Sequence, residues 1–309
     1  MCKKYCFNKL LAIIIMFTFL FTLIPVLPAS AVGETPIVAK YEMEDTDTTM
    51  TDTSGNSYNG TLKDNATFTS TNGRSGQGKA LKLYGGYAEF TGAHINKLGS
   101  EFSISAWVRP DNLNSYQTIV GKRPDDWMAE TFHLGITTDK KIRFSGSYGG
   151  GWYDWTSSAS TAIAAGTWVH IAVSFKKGSH CIVYVNGTSV LSKDATAAKY
   201  ALAASDLKVQ VGRDWRNIYG TVTEHKFSGL IDSLRVYPVA LSSTQVTADK
   251  DNTLTTRTAG DSDIPTPWKY VKMRLTRFDM PVGQKKQNND TYYKAATRVT
   301  GAMPLTGPT

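Results

Sequence analysis

Residues Gly166 to Leu191, GTWVHIAVSFKKGSHCIVYVNGTSVL, leave this chain little choice of secondary structure. Val169, Ile171, Val173 and Phe175 fall on one face of an extended backbone, and the alternation resumes at Cys181, Val183 and Val185 after the polar break Lys176 to His180. Asn186-Gly187 supplies the pair of positive-φ positions that a tight primed turn needs, so a third strand through Val190 and Leu191 folds back on the second. Three short antiparallel strands in succession predict an all-β domain.

The first 31 residues stand apart from the fold. Lys3, Lys4 and Lys9 form a basic start, Leu10 to Ile24 is almost wholly apolar, and Ala29-Ser30-Ala31 has the small-x-small form of a signal peptidase site. The apolar run is shorter than the roughly 20 residues of a spanning helix, so the expectation is a cleaved secretory signal, no membrane span after cleavage, and a secreted or cell-surface protein. Cys2 and Cys6 leave with it, and Cys181 alone cannot form an intramolecular disulfide.

The formal charge of +8 is unevenly distributed. The leader supplies +3, and residues 268–309 hold eight Lys or Arg against Asp279 and Asp290, which is +6; the body from 32 to 267 is therefore 8 − 3 − 6 = −1. A nearly neutral body argues against a nucleic-acid or anionic-membrane partner there.

Along the body, strand signals recur about every ten residues. Ile37, Ala39, Tyr41 and Met43 alternate with polar neighbours; Lys79 to Phe90 has Leu81 and Leu83 on one face before Gly85-Gly86 interrupts it; Phe102 to Pro110 and Ile119 to Lys122 follow. Phe132 to Ile136 and Lys141 to Phe144 flank a turn at 137–140, Leu207, Val209 and Val211 alternate, and Phe227 to Tyr237 closes the series. Such spacing, with turn residues between the runs, is that of a two-sheet sandwich or jelly roll. Ser242-Ser243-Thr244-Gln245 spells a capping box for a short helical turn. Composition turns to Thr, Asp and Pro after Thr247, so the expected organisation is leader 1–31, sandwich 32–248, linker 249–267, and a basic tail or incomplete further domain at 268–309.

Asp232 is the most informative carboxylate. Counted by twos it shares a face with Leu230, Leu234 and Val236, where a lone charge is costly unless something meets it. A divalent cation is one solution, with oxygens from the acidic, turn-rich segment Glu42 to Gly60; a bulge that shifts the count, Arg235, or backbone donors are others.

Seven segments in order carry a resemblance. They are Tyr41-x-Met43-Glu44, Asp52 to Leu62 (DTSGNSYNGTL), Gly78 to Leu83 (GKALKL), Phe102 to Val108 (FSISAWV), Gly166 to Ala172 (GTWVHIA), Val183 to Gly187 (VYVNG) and Phe227 to Tyr237 (FSGLIDSLRVY). Together they resemble the laminin-G-like form of the concanavalin A-like lectin/glucanase superfamily over roughly residues 37–248. The resemblance implies a two-sheet antiparallel jelly roll, commonly with one structural calcium. Carried over position by position, the calcium ligands are Glu44, Asp52, carbonyls near Asn59, and Asp232, with Glu42 an alternative to Glu44 because Met43 stands where an aromatic residue is more usual.

Superfamily members that hydrolyse glycans resemble one another in a strand bearing Glu-x-Asp-x-x-Glu, because retaining hydrolysis needs two carboxylates about 5 Å apart. Glu42-Met43-Glu44-Asp45-Thr46-Asp47 has a different order and lies on the first strand, so no catalytic dyad is expected. Gly73 to Lys79 ends in Ala80 where a phosphate loop needs Ser or Thr, the five histidines never take His-Glu-x-x-His spacing, and Met303-Pro304-Leu305-Thr306-Gly307 departs from a sorting signal at its first residue.

What remains is a recognition surface. Trp127, Tyr148, Trp152, Tyr153, Trp155, Trp215 and Tyr219 lie in or beside predicted loops among Asp125, Asp126, Arg213, Asp214 and Asn217. Aromatic rings pack on the C–H faces of sugars and planar polar groups meet hydroxyls, so Trp127, Tyr148, Trp152, Trp155, Arg213, Trp215 and Asn217 are candidate carbohydrate contacts. Trp107 and Trp168, within strong strands, are expected between the sheets. The expectation is a secreted, non-catalytic carbohydrate-binding module with a carbohydrate or glycoprotein ligand; the alternatives are an accessory module of a glycoside hydrolase and a protein-adhesion domain.

Overall fold

The stretch from Gly166 folds as three consecutive antiparallel strands, with Asn186 and Gly187 at φ 51° and 82° in the turn between the last two. The computed structural model describes residues 33–71, 73–74, 78–92, 98, 100–122, 132–148, 151–158, 163–195, 208–218, 221–260 and 263, and at 147, 148, 151, 152, 215–218 and 221–223 the backbone alone. The chain divides into two units, residues 1–267 and 268–309; residues 1–32, with the expected leader, and the second unit lie outside the described residues.

Twenty strands and one helix make up the described part. The first seven strands are β1 (Thr35–Ile37), β2 (Ala39–Tyr41), β3 (Thr49–Met50), β4 (Gly60–Lys63), β5 (Thr67–Phe68), β6 (Leu81–Tyr84) and β7 (Tyr87–Phe90). The central ones are β8 (Glu101–Pro110), β9 (Gln117–Lys122), β10 (Phe132–Ile136), β11 (Ile142–Tyr148), β12 (Gly151–Thr156), β13 (Val169–Lys176), β14 (His180–Val185) and β15 (Thr188–Asp194). The last are β16 (Val209–Val211), β17 (Arg213–Ile218), β18 (Thr221–Lys226), β19 (Ser228–Tyr237), helix α1 (Ser243–Lys250) and β20 (Thr256–Thr258).

Two large antiparallel sheets result. In one the order is β15-β14-β13-β8-β19-β6-β5, with β2 also paired to β19; in the other it is β12-β11-β10-β9-β16-β7-β4-β3. The interrupted run from Lys79 to Phe90 shows how they are joined. Its halves β6 and β7 belong to different sheets, and Gly85-Gly86 is the crossing. A Cβ on Gly86 would lie 2.1 Å from the backbone nitrogen of Ala66, so only glycine lets the two crossings pass.

Between the sheets lies one apolar core. From β8 come Phe102, Ile104, Ala106 and Val108; from β13 Ile171, Val173 and Phe175; from β10 and β11 Phe132, Leu134, Ile136, Ile142 and Phe144. Trp107 corrects the sequence expectation. It alternates with the core residues of β8 and faces outward, half-buried beneath the Arg74 guanidinium (5.0 Å) and against His170 (5.4 Å). Trp168 is also half-buried and precedes β13 rather than sitting inside it.

Helix α1 covers the outer face of the first sheet, which we call the helix-side sheet. Its capping box forms as spelled and it runs for eight residues, longer than the single turn expected. Val246 packs with Ile37, Ala172, Tyr184, Tyr237 and Leu241, while buried Asp249 accepts from Tyr237 (2.5 Å), meets His170 Nε2 (3.1 Å) and pairs with Arg235 (2.9 Å). These partners hold the Asp249 carboxyl well below the usual carboxylate range in spite of its burial. The ordered body also continues into the stretch expected as a linker: β20 pairs in parallel with β1, Thr256 opposite Thr35. Among the described residues no helix is long and apolar enough to cross a membrane.

Candidate functional site

The residues expected around a cation separate into two places. Asp52 is saturated: one carboxylate oxygen accepts the amides of Lys40 and Ser54, and the other accepts the Ser54 hydroxyl and the Tyr58 amide, all at 2.9 Å. Asn59 takes the Asp52 amide on its side-chain oxygen (2.9 Å), so these two residues tie a loop to β2, and both Asp52 carboxylate oxygens are already spent. Glu44 and Asp232 instead hold the two ends of another loop. The Glu44 carboxylate accepts the Lys79 amide (3.1 Å) and Asp232 accepts the Arg74 amide (3.0 Å).

Asp232 is 6% exposed, and the period-two count fails at a bulge directly after it. Ser233 takes φ 50°, which leaves Asp232 on the outer side with Leu230 while Leu234 and Val236 enter the core. Backbone and hydroxyl donors meet the carboxylate, and Arg235 pairs elsewhere, with Glu42 and Asp249. Burial first, and then the charge of Glu42, hold the Asp232 carboxyl above its usual range against those hydrogen bonds. Among the described residues no three His, Cys, Asp or Glu side chains are grouped so as to hold a metal. Of the two acids weighed as partners for Asp232, Glu42 lies beside it, since the Ser233 hydroxyl reaches both carboxylates at 3.1 and 3.2 Å, while Glu44 holds the far end of the loop at Lys79.

Of the candidate carbohydrate contacts, Trp127 and Tyr219, with Asp125 and Asp126, lie outside the described residues, and Tyr148, Trp152, Trp215 and Asn217 are described only as backbone in β11, β12 and β17. Trp155 is half-buried and stacks on Tyr153 at 4.6 Å, and Tyr153 continues to Phe144 and Phe175. Trp155 thus joins a ladder of core rings from a half-buried position. Arg213 lies over the Tyr87 ring (4.6 Å) and pairs with Glu224 (2.8 Å).

The second sheet carries a different assembly on its outer face. Because Phe132, Leu134 and Ile136 of β10 enter the core, His133 points the other way, and its ring lies over Gly135 so closely that a Cβ there would come within 2.7 Å of it. The β17–β18 hairpin closes over this imidazole. His133 Nε2 meets the Thr118 hydroxyl at 3.1 Å and lies 3.9 Å from Asp214, which is 3.7 Å from His225; His133 Nδ1 has no partner. Burial pushes His133 down to about 4 despite the nearby carboxylate.

Beside this base the face opens to solvent. Arg143 and Asp154 pair through two parallel bonds of 2.7 and 2.6 Å across β11 and β12, and Arg143 feels the charges of Tyr116 and Asp214 as well. Tyr116, 38% exposed, leans on His225 with ring centroids 5.4 Å apart. A planar ion pair, an exposed ring and a walled polar floor suit hydrogen bonding to hydroxyls with ring contact above. Sequence reasoning missed Tyr116, His133, Arg143, Asp154 and His225. The one available signal was that His133 and Arg143 are polar residues alternating with apolar ones, which marks an outer face but not what covers it.

Two facing antiparallel sheets with the chain crossing between them define a lectin-like jelly roll. Residues 83–247, over half of the chain, match the family described as the concanavalin A-like lectin/glucanases superfamily, and the chain belongs to it. Among solved structures the fold is shared with domain 4 of AbnA, a GH43 extracellular arabinanase from Geobacillus stearothermophilus, in complex with arabinotriose; identity is 24%, TM-score 0.54, with 70% of this chain and 99% of that one covered. It is shared too with the binding domain of Paraclostridial Mosquitocidal Protein 1 (17% identity, TM-score 0.54, 70% and 52% covered). A third is the binding domain of Botulinum Neurotoxin DC in complex with SialylT (15% identity, TM-score 0.51, 71% and 52% covered). The chain spans about half the length of the two toxin domains. No curated protein matches the chain.

Proposed function

We propose that this is a secreted, non-catalytic glycan-binding module that lays its ligand on the outer face of the second sheet. The carrying observation is the open strip formed by Tyr116 and the Arg143–Asp154 pair over the His133–Asp214 floor. Among the described residues the acids of this face are committed to cations: Asp154 to Arg143, Glu224 to Arg213 and Lys226, Glu89 to Lys208 and Lys63. That supports binding rather than hydrolysis, which needs one carboxyl to give a proton while another attacks or activates water. The arabinanase domain, crystallised with arabinotriose and almost wholly covered, favours a second reading in which the module serves a larger glycan-degrading enzyme.

The test is electrophoresis through gels cast with neutral polysaccharides, with reducing-sugar release measured on the same polymers. At least one polymer should retard the protein without being shortened, and Arg143→Ala and Tyr116→Ala should each weaken retardation about tenfold, the size of roughly 1.4 kcal/mol. Retardation unchanged in both variants would place the ligand elsewhere.

Calcium belongs to the same reading. Bound at Asp232 with Glu42 or Glu44, the ion would compensate a buried carboxylate. Millimolar calcium should raise the melting temperature of the parent and not of Asp232→Ala, since a ligand of the native state alone stabilises it by mass action. An equal shift in both proteins, or none in the parent, rules out this site.

A further inference from the structure

The helix-side sheet presents a second outer surface of opposite character. Leu81 and Leu83 of β6 enter the core, so Lys82 and Tyr84 stand outward, and Tyr84 is 45% exposed. Register places Leu230 of β19 opposite both Lys82 and Arg109 of β8, so the two cations flank it across two strand spacings, about 10 Å.

These cations are poorly neutralised. Lys82 lies over the Tyr84 ring (5.1 Å) and has no carboxylate within 4.0 Å among the described residues. Arg109 approaches Asp111 only to 3.7 Å, its Nε is without a hydrogen-bond partner, and one Asp111 oxygen is taken by the Tyr84 hydroxyl. Arg74, over Trp107, spends one guanidinium nitrogen on the Lys250 carbonyl. On the other side of the sandwich Arg143, Lys208 and Lys63, and on the β17–β18 hairpin Arg213 and Lys226, each have a carboxylate at 2.6–3.3 Å.

We propose that the surface around Lys82, Tyr84 and Arg109 binds an acidic polysaccharide through its carboxylate groups. A guanidinium with unspent donors takes a carboxylate in a planar fork, an ammonium adds a point charge, and the exposed ring beside them covers the C–H face of a sugar. A polymer with recurring carboxylates satisfies two cations about 10 Å apart in a way that a single anion cannot. Because the body is near neutral, this is a local arrangement and not a general attraction for polyanions. The site is independent of the strip at Tyr116 and Arg143.

The probe is polygalacturonate in affinity gels, with its fully methyl-esterified form as the uncharged twin. The parent should be retarded by the acid and not by the ester, and raising salt from about 50 to 300 mM should weaken retardation severalfold, as screening of exposed charges requires. K82Q/R109Q should weaken it at least tenfold and Tyr84→Ala severalfold, while retardation by neutral polysaccharides stays as in the parent. If the double variant melts early, Lys82→Gln alone, at an exposed position, should still weaken binding. No retardation of the parent by polygalacturonate, retardation untouched by these variants, or equal retardation by polyphosphate that ignores Tyr84→Ala would each overturn the proposal.

Discussion

Two buried groups show how single residues set the behaviour of this protein. His133 is held neutral by burial, with a folded value of about 4 against about 6.5 when unfolded. The unfolded chain therefore takes up this proton first as pH falls. Stability from His133 is full above about pH 6.5 and is lost progressively towards pH 4, by up to about 3 kcal/mol. Urea midpoints measured across that range should fall for the parent and flatten for His133→Gln; parallel curves would contradict the burial argument. Asp249 has the opposite shift, held low by His170, Arg235 and Tyr237, so its contribution is present above about pH 4 and lost only in stronger acid. Asp249→Ala leaves Arg235 and His170 buried without that partner and should cost about 3 kcal/mol in urea unfolding, with a loss below about 1 kcal/mol as the contrary result. Neither role could be read from the sequence, because His133 meets Asp214 and His170 meets Asp249 only once distant segments are brought together.

At the scale of elements, legibility followed local physics. The β13–β14–β15 series, the capping box of α1 and the break at Gly85-Gly86 each depend on neighbours in sequence, and each could be written down in advance, though not that the break carries the chain from one sheet to the other. Asn186-Gly187 is the most exacting case. Its two left-handed positions match the twist of β14 and β15, and the Asn186 side chain also accepts the His170 amide at 2.9 Å. Gly187→Val should destabilise by about 1–2 kcal/mol, the penalty for a Cβ in that conformation, seen as a lowered urea midpoint with an unchanged slope. A midpoint equal to that of the parent would contradict the turn assignment. Reading failed where an element breaks its own period. The bulge at Ser233 moved Asp232 off the apolar face it shared on paper, whereas Trp107 was misplaced by its ring alone, since counting by twos sets it with Ser103, Ser105 and Arg109 on the outer face. Composition misled at the C-terminal side, where polar residues after Thr247 include buried Asp249 and the paired strand β20.

For the whole molecule, the sandwich supplies two outer faces of unlike chemistry. The helix-side sheet, capped in part by α1, leaves cations without close carboxylates at its Tyr84 end; the hairpin-side sheet pairs its cations and builds a walled polar strip. The fold was legible because alternation and turn residues repeat along the chain. The strip was not, because it assembles from β9, β10, β11, β12 and a hairpin more than fifty residues further on. Aromatic residues drew attention in the sequence, and Trp155 stacks on the core ring of Tyr153, while less conspicuous Arg143 and Tyr116 line the open face.

Calorimetric titration of a retained neutral oligosaccharide into the parent and into an Arg143→Ala, Tyr116→Ala double variant, with the sugar recovered and sized afterwards, bears on the glycan-binding reading most directly. The parent should bind it and return it intact, and the double variant should bind at least tenfold more weakly while melting cooperatively. Equal affinity in the two proteins, or recovery of shorter sugars from the parent, would contradict it.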